Sequence, residues 1–334
     1  MALAIVLLIF SLLVILVAAE LFTNAVEWLG LHLHLNEGAV GSVLAAVGTA
    51  MPETMIPLIA ILFAGSASHE DIGIGAILGA PFMLSTAAFS VTGLAILLFA
   101  RSGRRPRSMR LNTDILGRDM SYFLGVYTIA ILATFLPHHG LKIAVAFLLL
   151  GFYAFYVYRT LSAEGQVEEP PTRLYLAEAI RVRAKAPPLS LSALQFFIAL
   201  GLIIGGAKLF VDNLQTVATE LNVPVLVLSL ILAPLATELP EKFNSIIWVR
   251  QRKDTLAMGN ISGAMVFQSC IPVSVGLLFT PWELTQPALV SAGIAIASTT
   301  VVYLSIRRRA LLNPAVLARA GLLYLAFVVY VVLR

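Results

Sequence analysis

Ten apolar runs, each long enough to cross a bilayer, occupy most of this chain and leave little room for any other kind of fold. They fall at about 2 to 29, 37 to 64, 72 to 100, 119 to 136 and 141 to 158, then at about 190 to 212, 223 to 249, 255 to 279, 285 to 306 and 314 to 333. With 59% hydrophobic and 12% charged residues, the chain lies far from soluble globular composition. The expected fold class is therefore an all-α polytopic membrane protein. Five runs precede and five follow the one long polar stretch, 159 to 188, which carries Glu164, Glu168, Glu169, Pro170 and Pro171. It reads as a solvated linker with a short amphipathic helix, dividing the chain into 1–158, 159–188 and 189–334.

Several function classes are set aside at once. The net charge of +4 comes from basic residues between apolar runs, where they set orientation, so nucleic acid is not an expected partner. A single cysteine, Cys270, excludes an internal disulfide, and no Cys/His pairs stand at zinc spacing. The opening run lacks the basic stretch of a signal peptide and is counted as a first membrane helix.

Within this apolar chain one hexapeptide stands out. Ala236-Thr237-Glu238-Leu239-Pro240-Glu241 places two carboxylates and a proline inside the run from 223 to 249, where ionisable groups are costly. A second copy, Gly48-Thr49-Ala50-Met51-Pro52-Glu53, lies 188 residues earlier. At the same offset Ala19, Leu21 and Phe22 match Ala207, Leu209 and Phe210, and at 184 Gly75, Gly79 and Ser85 match Gly259, Gly263 and Ser269. Agreement of Thr, Pro and Glu in register carries the weight. Five crossings separate equivalent helices, so the copies have opposite orientation: ten transmembrane helices as two inverted five-helix repeats.

Loop charges test this topology. With the loops after helices 1, 3, 5, 7 and 9 on one side, that side collects 17 of the 22 Lys and Arg residues, including Arg101 to Arg118 and Arg250 to Lys253, while Lys142 and Arg334 fall on the other. Basic loops stay in the cytoplasm, which puts both termini outside an integral protein of the cell membrane.

The repeated hexapeptide has a chemical reading. Thr49 and Glu53, like Thr237 and Glu241, are four residues apart and share a helical face. Proline at 52 and 240 removes the N–H that would engage the carbonyls of Gly48 and Ala236, kinking the helix and freeing those oxygens. Carboxylate, hydroxyl and carbonyl oxygens are what hard cations such as calcium and sodium take, six or so at a time. The candidate cation ligands are thus Glu53, Glu241, Thr49, Thr237, Glu238 and the carbonyls of Gly48 and Ala236. The glycines at spacing four read as close helix packing. Among the remaining polar residues, Glu20 and Lys208 occupy equivalent places, Lys242 is read as either snorkelling or a built-in cation, and His69-Glu70-Asp71 and His138-His139 read as solvated connections.

These motifs resemble the G-T-S-L-P-E signatures of the two alpha repeats in the sodium/calcium exchanger family of cation/calcium antiporters. The resemblance implies two inverted bundles of five helices, with Glu53 and Glu241 as central calcium ligands and Thr49 and Thr237 beside them. It also implies alternating access as the first and sixth helices slide across the remaining bundle. This sequence departs from the pattern at Ala50 and Glu238, where the family has serine, and at Pro81 and Met265, where it has Asn or Asp. Sodium sites would lose oxygens, and an extra carboxylate, with its proton affinity raised by burial and like charges, would favour protons as counter-ion. Ser85, Ser269, Gln268 and Asn260 are possible substitutes.

The reading is a secondary-active antiporter exchanging calcium for sodium or protons, with inorganic cations and membrane lipids as partners and no cofactor. An exchanger-fold scaffold or sensor that has lost transport is the alternative. No nucleophile with its base and no cofactor motif suggests an enzyme.

Overall fold

The computed structural model describes residues 1–32, 51–63, 67–161, 173–181, 187–308 and 312–333. In chain order the helices are α1 (Ala2–His32), α2 (Met51–Leu62), α3 (Ala67–Met83), a π-helical turn (Leu84–Ala88), α4 (Phe89–Arg101), α5 (Thr113–Leu132), α6 (His139–Leu161) and α7 (Tyr175–Ala179). The second half contains α8 (Leu189–Leu221), α9 (Val225–Thr237), α10 (Leu239–Arg250), α11 (Asp254–Phe279), α12 (Gln286–Arg308) and α13 (Pro314–Val332). Among the described residues, eight segments are long and apolar enough to cross a membrane, α3 and α4 counting as one through the π turn. Glu53–Leu62 and Val225–Leu235 are shorter apolar helices. The apolar run 223–249 is therefore not one long helix. It divides at Glu238, and the equivalent stretch 33–50 lies outside the described residues.

Local chemistry explains many of the ends. The Asn112 side chain caps α5 by accepting from the amides of Asp114 and Ile115, and Asn313 caps α13 by accepting from Ala315, with Pro314 in the first turn. Asn222, in the left-handed region at φ 55°, closes α8 just before Pro224. Pro240 occupies the first turn of α10, where its missing N–H costs nothing. The proline thus begins a new helix after Glu238 rather than kinking a continuous one.

The apolar interior divides into two clusters. One is built from α1 and α8 with Ile56 and Ile59 of α2, Ile72 and Ala76 of α3, and Ala233 of α9. The other gathers α3 through α6 with α9 through α13, around Phe82, Phe123, Tyr127, Met265 and Trp282. Helices α1 and α8 lie antiparallel: the Met1 ammonium meets Glu220 at 2.7 Å at one end, and Gln195 donates to the Leu21 carbonyl at 2.8 Å near the other. A Cβ at Gly206 would stand 2.8 Å from the Ile15 side chain, so only glycine admits this approach. Leu3, Val6, Phe10 and Leu13 of α1 and Phe197 and Leu202 of α8 face outward, as apolar side chains do when lipid is the solvent.

Loops meet in two separate sets. Arg252 donates to the Arg104 carbonyl at 3.1 Å, and Asn112 N to Thr255 at 2.9 Å, joining the basic connections. At the opposite end of the bundle Thr134 donates to the carbonyl of Trp282 at 3.0 Å and Lys142 to that of Pro281 at 2.6 Å. Lys142 lies within α6 and is buried, not in the loop expected for it. The stretch around α7 is also less solvated than its composition suggests, since Leu174 and Ala177 are buried.

Candidate cation site

One helix break frames the site among the described residues. Thr237 ends α9, Glu238 sits between helices at φ −86° and ψ 2°, and α10 starts at Leu239. The Glu238 amide still reaches the Pro234 carbonyl at 3.1 Å, and the Lys242 amide reaches the Glu238 carbonyl at 3.3 Å, so the break is one residue wide. Pro234, one turn before, already thins the hydrogen-bond ladder.

Glu238 is fully buried, and the Gln268 amide of α11 donates to its Oε1 at 2.6 Å. The amide oxygen of Gln268 is buried with no hydrogen-bond partner among the described residues. It is an acceptor held beside a carboxylate. Thr237 is buried as well, its hydroxyl donating to the Ala233 carbonyl at 3.2 Å and keeping its oxygen lone pairs. Glu53, in the first turn of α2, is 5% exposed. Both α2 and α10 pack against α11, the helix that carries Gln268. Gly48 and Thr49 lie outside the described residues, and for Ala236, Pro240 and Glu241 only the backbone is described. Among the described residues, no group of three or more His, Cys, Asp or Glu side chains is placed to hold a metal, a set without the Glu241 side chain.

Of the substitute ligands, Ser85 and Ser269 are fully buried but donate to the carbonyls of Phe82 and Val266 in their own helices. Ser85 belongs to the π turn, and Ser298 of α12 donates to its carbonyl. Such turns are frequent where a helix serves a site. Lys242 is 8% exposed and donates from Nζ to Met83 Sδ of α3 at 3.0 Å. It does not snorkel to the interface. His69, Glu70 and Asp71 fall in the first turns of α3, not in a connection.

Close backbone packing holds these parts in register. A Cβ at Gly75 or Gly79 would strike the carbonyls of Leu226 and Leu230, so α3 and α9 touch through bare backbone, and the Ser229 hydroxyl donates to the Ile72 carbonyl at 2.7 Å. The packing reading of those glycines holds. Gly263 has a looser neighbour, the Tyr156 hydroxyl at 3.8 Å, and Gly259 none among the described residues.

Three polar clusters escaped the sequence reading. Arg105 forms a bidentate pair with Asp254 at 2.7 and 2.8 Å, both nearly sealed from solvent, tying the loop before α5 to the start of α11. Asp119 accepts from Tyr156 at 3.1 Å, Ser262 at 2.8 Å and Arg118. Asn24 and Gln195 share a hydrogen bond at 3.0 Å, and the amides of Tyr175 and Leu176 donate to them, strapping the linker onto α1 and α8. For Asp119, Asn24 and Gln195 an ionisable or amide residue in an apolar run was the available signal, whereas Arg105 and Asp254 lie between runs and carried none.

The family model for "Sodium/calcium exchanger protein" matches residues 3–161 and 191–334, nearly the whole chain. The chain belongs to the sodium/calcium exchanger family. It is 28% identical over 286 residues to the inner membrane protein YrbG of Escherichia coli (strain K12), covering 85% of this chain and 82% of that one. Among solved structures, the H+/Ca2+ exchanger CAX superposes with a TM-score of 0.77 at 17% identity, covering 99% of this chain and 86% of that one. The sodium-calcium exchanger NCX_Mj gives 0.58 at 17% identity, covering 98% of both chains. At such identities these likenesses establish an exchanger fold. The family is one of membrane transporters of inorganic cations rather than enzymes, as the sequence reading expected.

Proposed function

We propose that this protein is a secondary-active antiporter that takes calcium as its divalent substrate against sodium or protons by alternating access. Ten crossings form two inverted repeats, 1–158 and 189–334, joined by a linker at 159–188. The basic connections face the cytoplasm and both termini face outside the cell membrane. Glu53 and Glu241 are the central ligands. Thr49, Thr237, Glu238 and the carbonyls of Gly48 and Ala236 complete the oxygen set.

The observation that carries this reading is the fully buried Glu238 beside the Gln268 amide, at a helix break inside an apolar bundle. A carboxylate at such a depth costs ~2.5 to 3.5 kcal/mol on insertion scales, and a cation-binding role accounts for its presence. Family membership supports the reading independently. The α1 and α8 pair meets α2, α3 and α9 through apolar side chains in one cluster, a contact compatible with sliding of that pair against the remaining bundle.

The test is radioactive calcium uptake into proteoliposomes of the purified protein under an outward sodium gradient or a pH gradient. Uptake should follow one of the two gradients and be competed by other divalent ions in proportion to their affinity. A protein that binds calcium without gradient-driven uptake would be a sensor or scaffold.

A further inference from the structure

A cavity of about 450 Å³ opens between α5 and α12, at the end of the bundle that carries the basic connections. Helix α5 lines it with Asp114, Gly117, Arg118 and Ser121, and α12 with Tyr303 and Arg307. Positions 117 and 121 stand one turn apart on a single face and hold small residues. A Cβ added at Gly117 would meet nothing within 4 Å, so the hollow follows from the sequence.

The charges around it have two signs. The Arg307 guanidinium is exposed, lies 5.7 Å from the centre of the Tyr303 ring, and has no anion beside it among the described residues. Asp114 is also exposed; its amide is taken up by the Asn112 cap, and its carboxylate has no cation among the described residues. Arg118 differs. Asp119 Oδ1 accepts from its Nε at 3.2 Å and its Nη2 at 3.1 Å, and the Tyr156 ring lies 5.5 Å away, which leaves Nη1 without a hydrogen bond among the described residues. Asp119 balances Arg118, so the cavity keeps one unanswered cation, Arg307, and one unanswered anion, Asp114. An anion bound at Arg307 alone is repelled by Asp114, and a metal ion bound at Asp114 alone is repelled by Arg307. A zwitterion answers both.

The location selects the kind of zwitterion. The cavity lies at the ends of two apolar segments long enough to span a membrane, Thr113–Phe135 and Gln286–Arg307. Farther along them Val301 and Leu304 are exposed, and Gly125 borders open space. Phospholipids present headgroups at that depth, with their chains along the apolar surface. Phosphate forms charge-assisted hydrogen bonds with guanidinium, and a primary ammonium has N–H donors for a carboxylate that a quaternary one lacks.

We propose that this cavity binds a phospholipid with an ethanolamine headgroup, its phosphate on Arg307 and Nη1 of Arg118 and its ammonium on Asp114. The site uses none of the cation ligands and does not depend on the antiporter reading.

The test is a titration of the purified full chain in detergent with a phosphatidylethanolamine that is fluorescent in one acyl chain, competed by unlabelled lipids of matched chains. Phosphatidylethanolamine should displace the probe at a concentration at least about tenfold below that needed for phosphatidylcholine or phosphatidylglycerol. Arg307→Gln and Asp114→Asn, both at exposed positions, should each weaken the probe about tenfold or more. Asp114→Asn should also raise phosphatidylglycerol to the strength of phosphatidylethanolamine, because the repelling carboxylate is gone. Gly117→Leu fills the hollow without opposing the helix, and should abolish selective displacement. Phosphatidylcholine or phosphatidylglycerol displacing the probe from wild type as well as phosphatidylethanolamine does overturns the proposal. Free phosphoethanolamine competing as strongly as the lipid overturns the membrane source. Unchanged affinity in all three variants places the lipid elsewhere and overturns the assignment.

Discussion

The side-chain amide of Gln268 donates to the carboxylate of Glu238 at 2.6 Å, linking α11 to the break between α9 and α10. Both groups are buried. The bond fixes the direction in which Glu238 presents its oxygens and places the amide oxygen of Gln268 next to them.

Gln268→Leu removes a hydrogen bond to a charged group, worth roughly 1.5 to 3 kcal/mol, and with it the amide oxygen that stands beside Glu238. Calcium affinity should fall by about tenfold to a hundredfold, read as a rise in the half-saturating calcium concentration of uptake. Gln268→Glu should retain more affinity than Gln268→Leu, because it restores an oxygen.

Glu53 and Glu241 should behave as one unit despite their separation in sequence. Glu53→Gln and Glu241→Gln each remove part of the charge that offsets desolvation of a divalent ion, so each alone should abolish flux and the pair should lose little more. Independent partial losses in calcium binding, measured calorimetrically on the same variants, would separate the two residues.

Arg105 and Asp254 form a buried bidentate pair, and the consequences are asymmetric. Arg105→Met leaves a buried carboxylate uncompensated and should destabilise the protein by about 3 to 5 kcal/mol. Arg105→Met with Asp254→Leu should recover a large part of that loss. Thermal melts of the purified protein in detergent compare the two.

Orientation can be checked at exposed positions. Arg107 lies in the basic connection before α5 and His138 at the opposite end before α6, and both are exposed, whereas Arg105 is buried and unsuitable for labelling. Cysteine at 107 should react only from the cytoplasm and cysteine at 138 only from outside. Cys270 is buried and gives little background.

The features legible in the sequence were those with local or periodic signals. Run length located the helices, and Thr237, Glu238 and Pro240 marked the break, because polar groups and a missing N–H are conspicuous in an apolar run. The break falls at Glu238 rather than as a kink at Pro240, since proline is accommodated in a first turn and run length alone hides a one-residue interruption. The π turn at Leu84–Ala88 has no period of its own and depends on how α3 and α4 meet α12 and α13. Partners such as Asp119 with Ser262 and Asn24 with Gln195 sit in different helices, 143 and 171 residues apart, so only the folded bundle pairs them. Gly48 and Thr49 lie outside the described residues.

The most direct test of the central claim is calcium uptake by wild type and Glu53→Gln side by side in proteoliposomes, with an outward sodium gradient in one series and a pH gradient in the other. Glu53 is buried in the first turn of α2 and has a carboxylate with no other assigned role. Gradient-driven uptake in wild type that falls to the level of empty vesicles in Glu53→Gln is the predicted result. Uptake that is the same in both proteins, or that answers to neither gradient, would contradict the account.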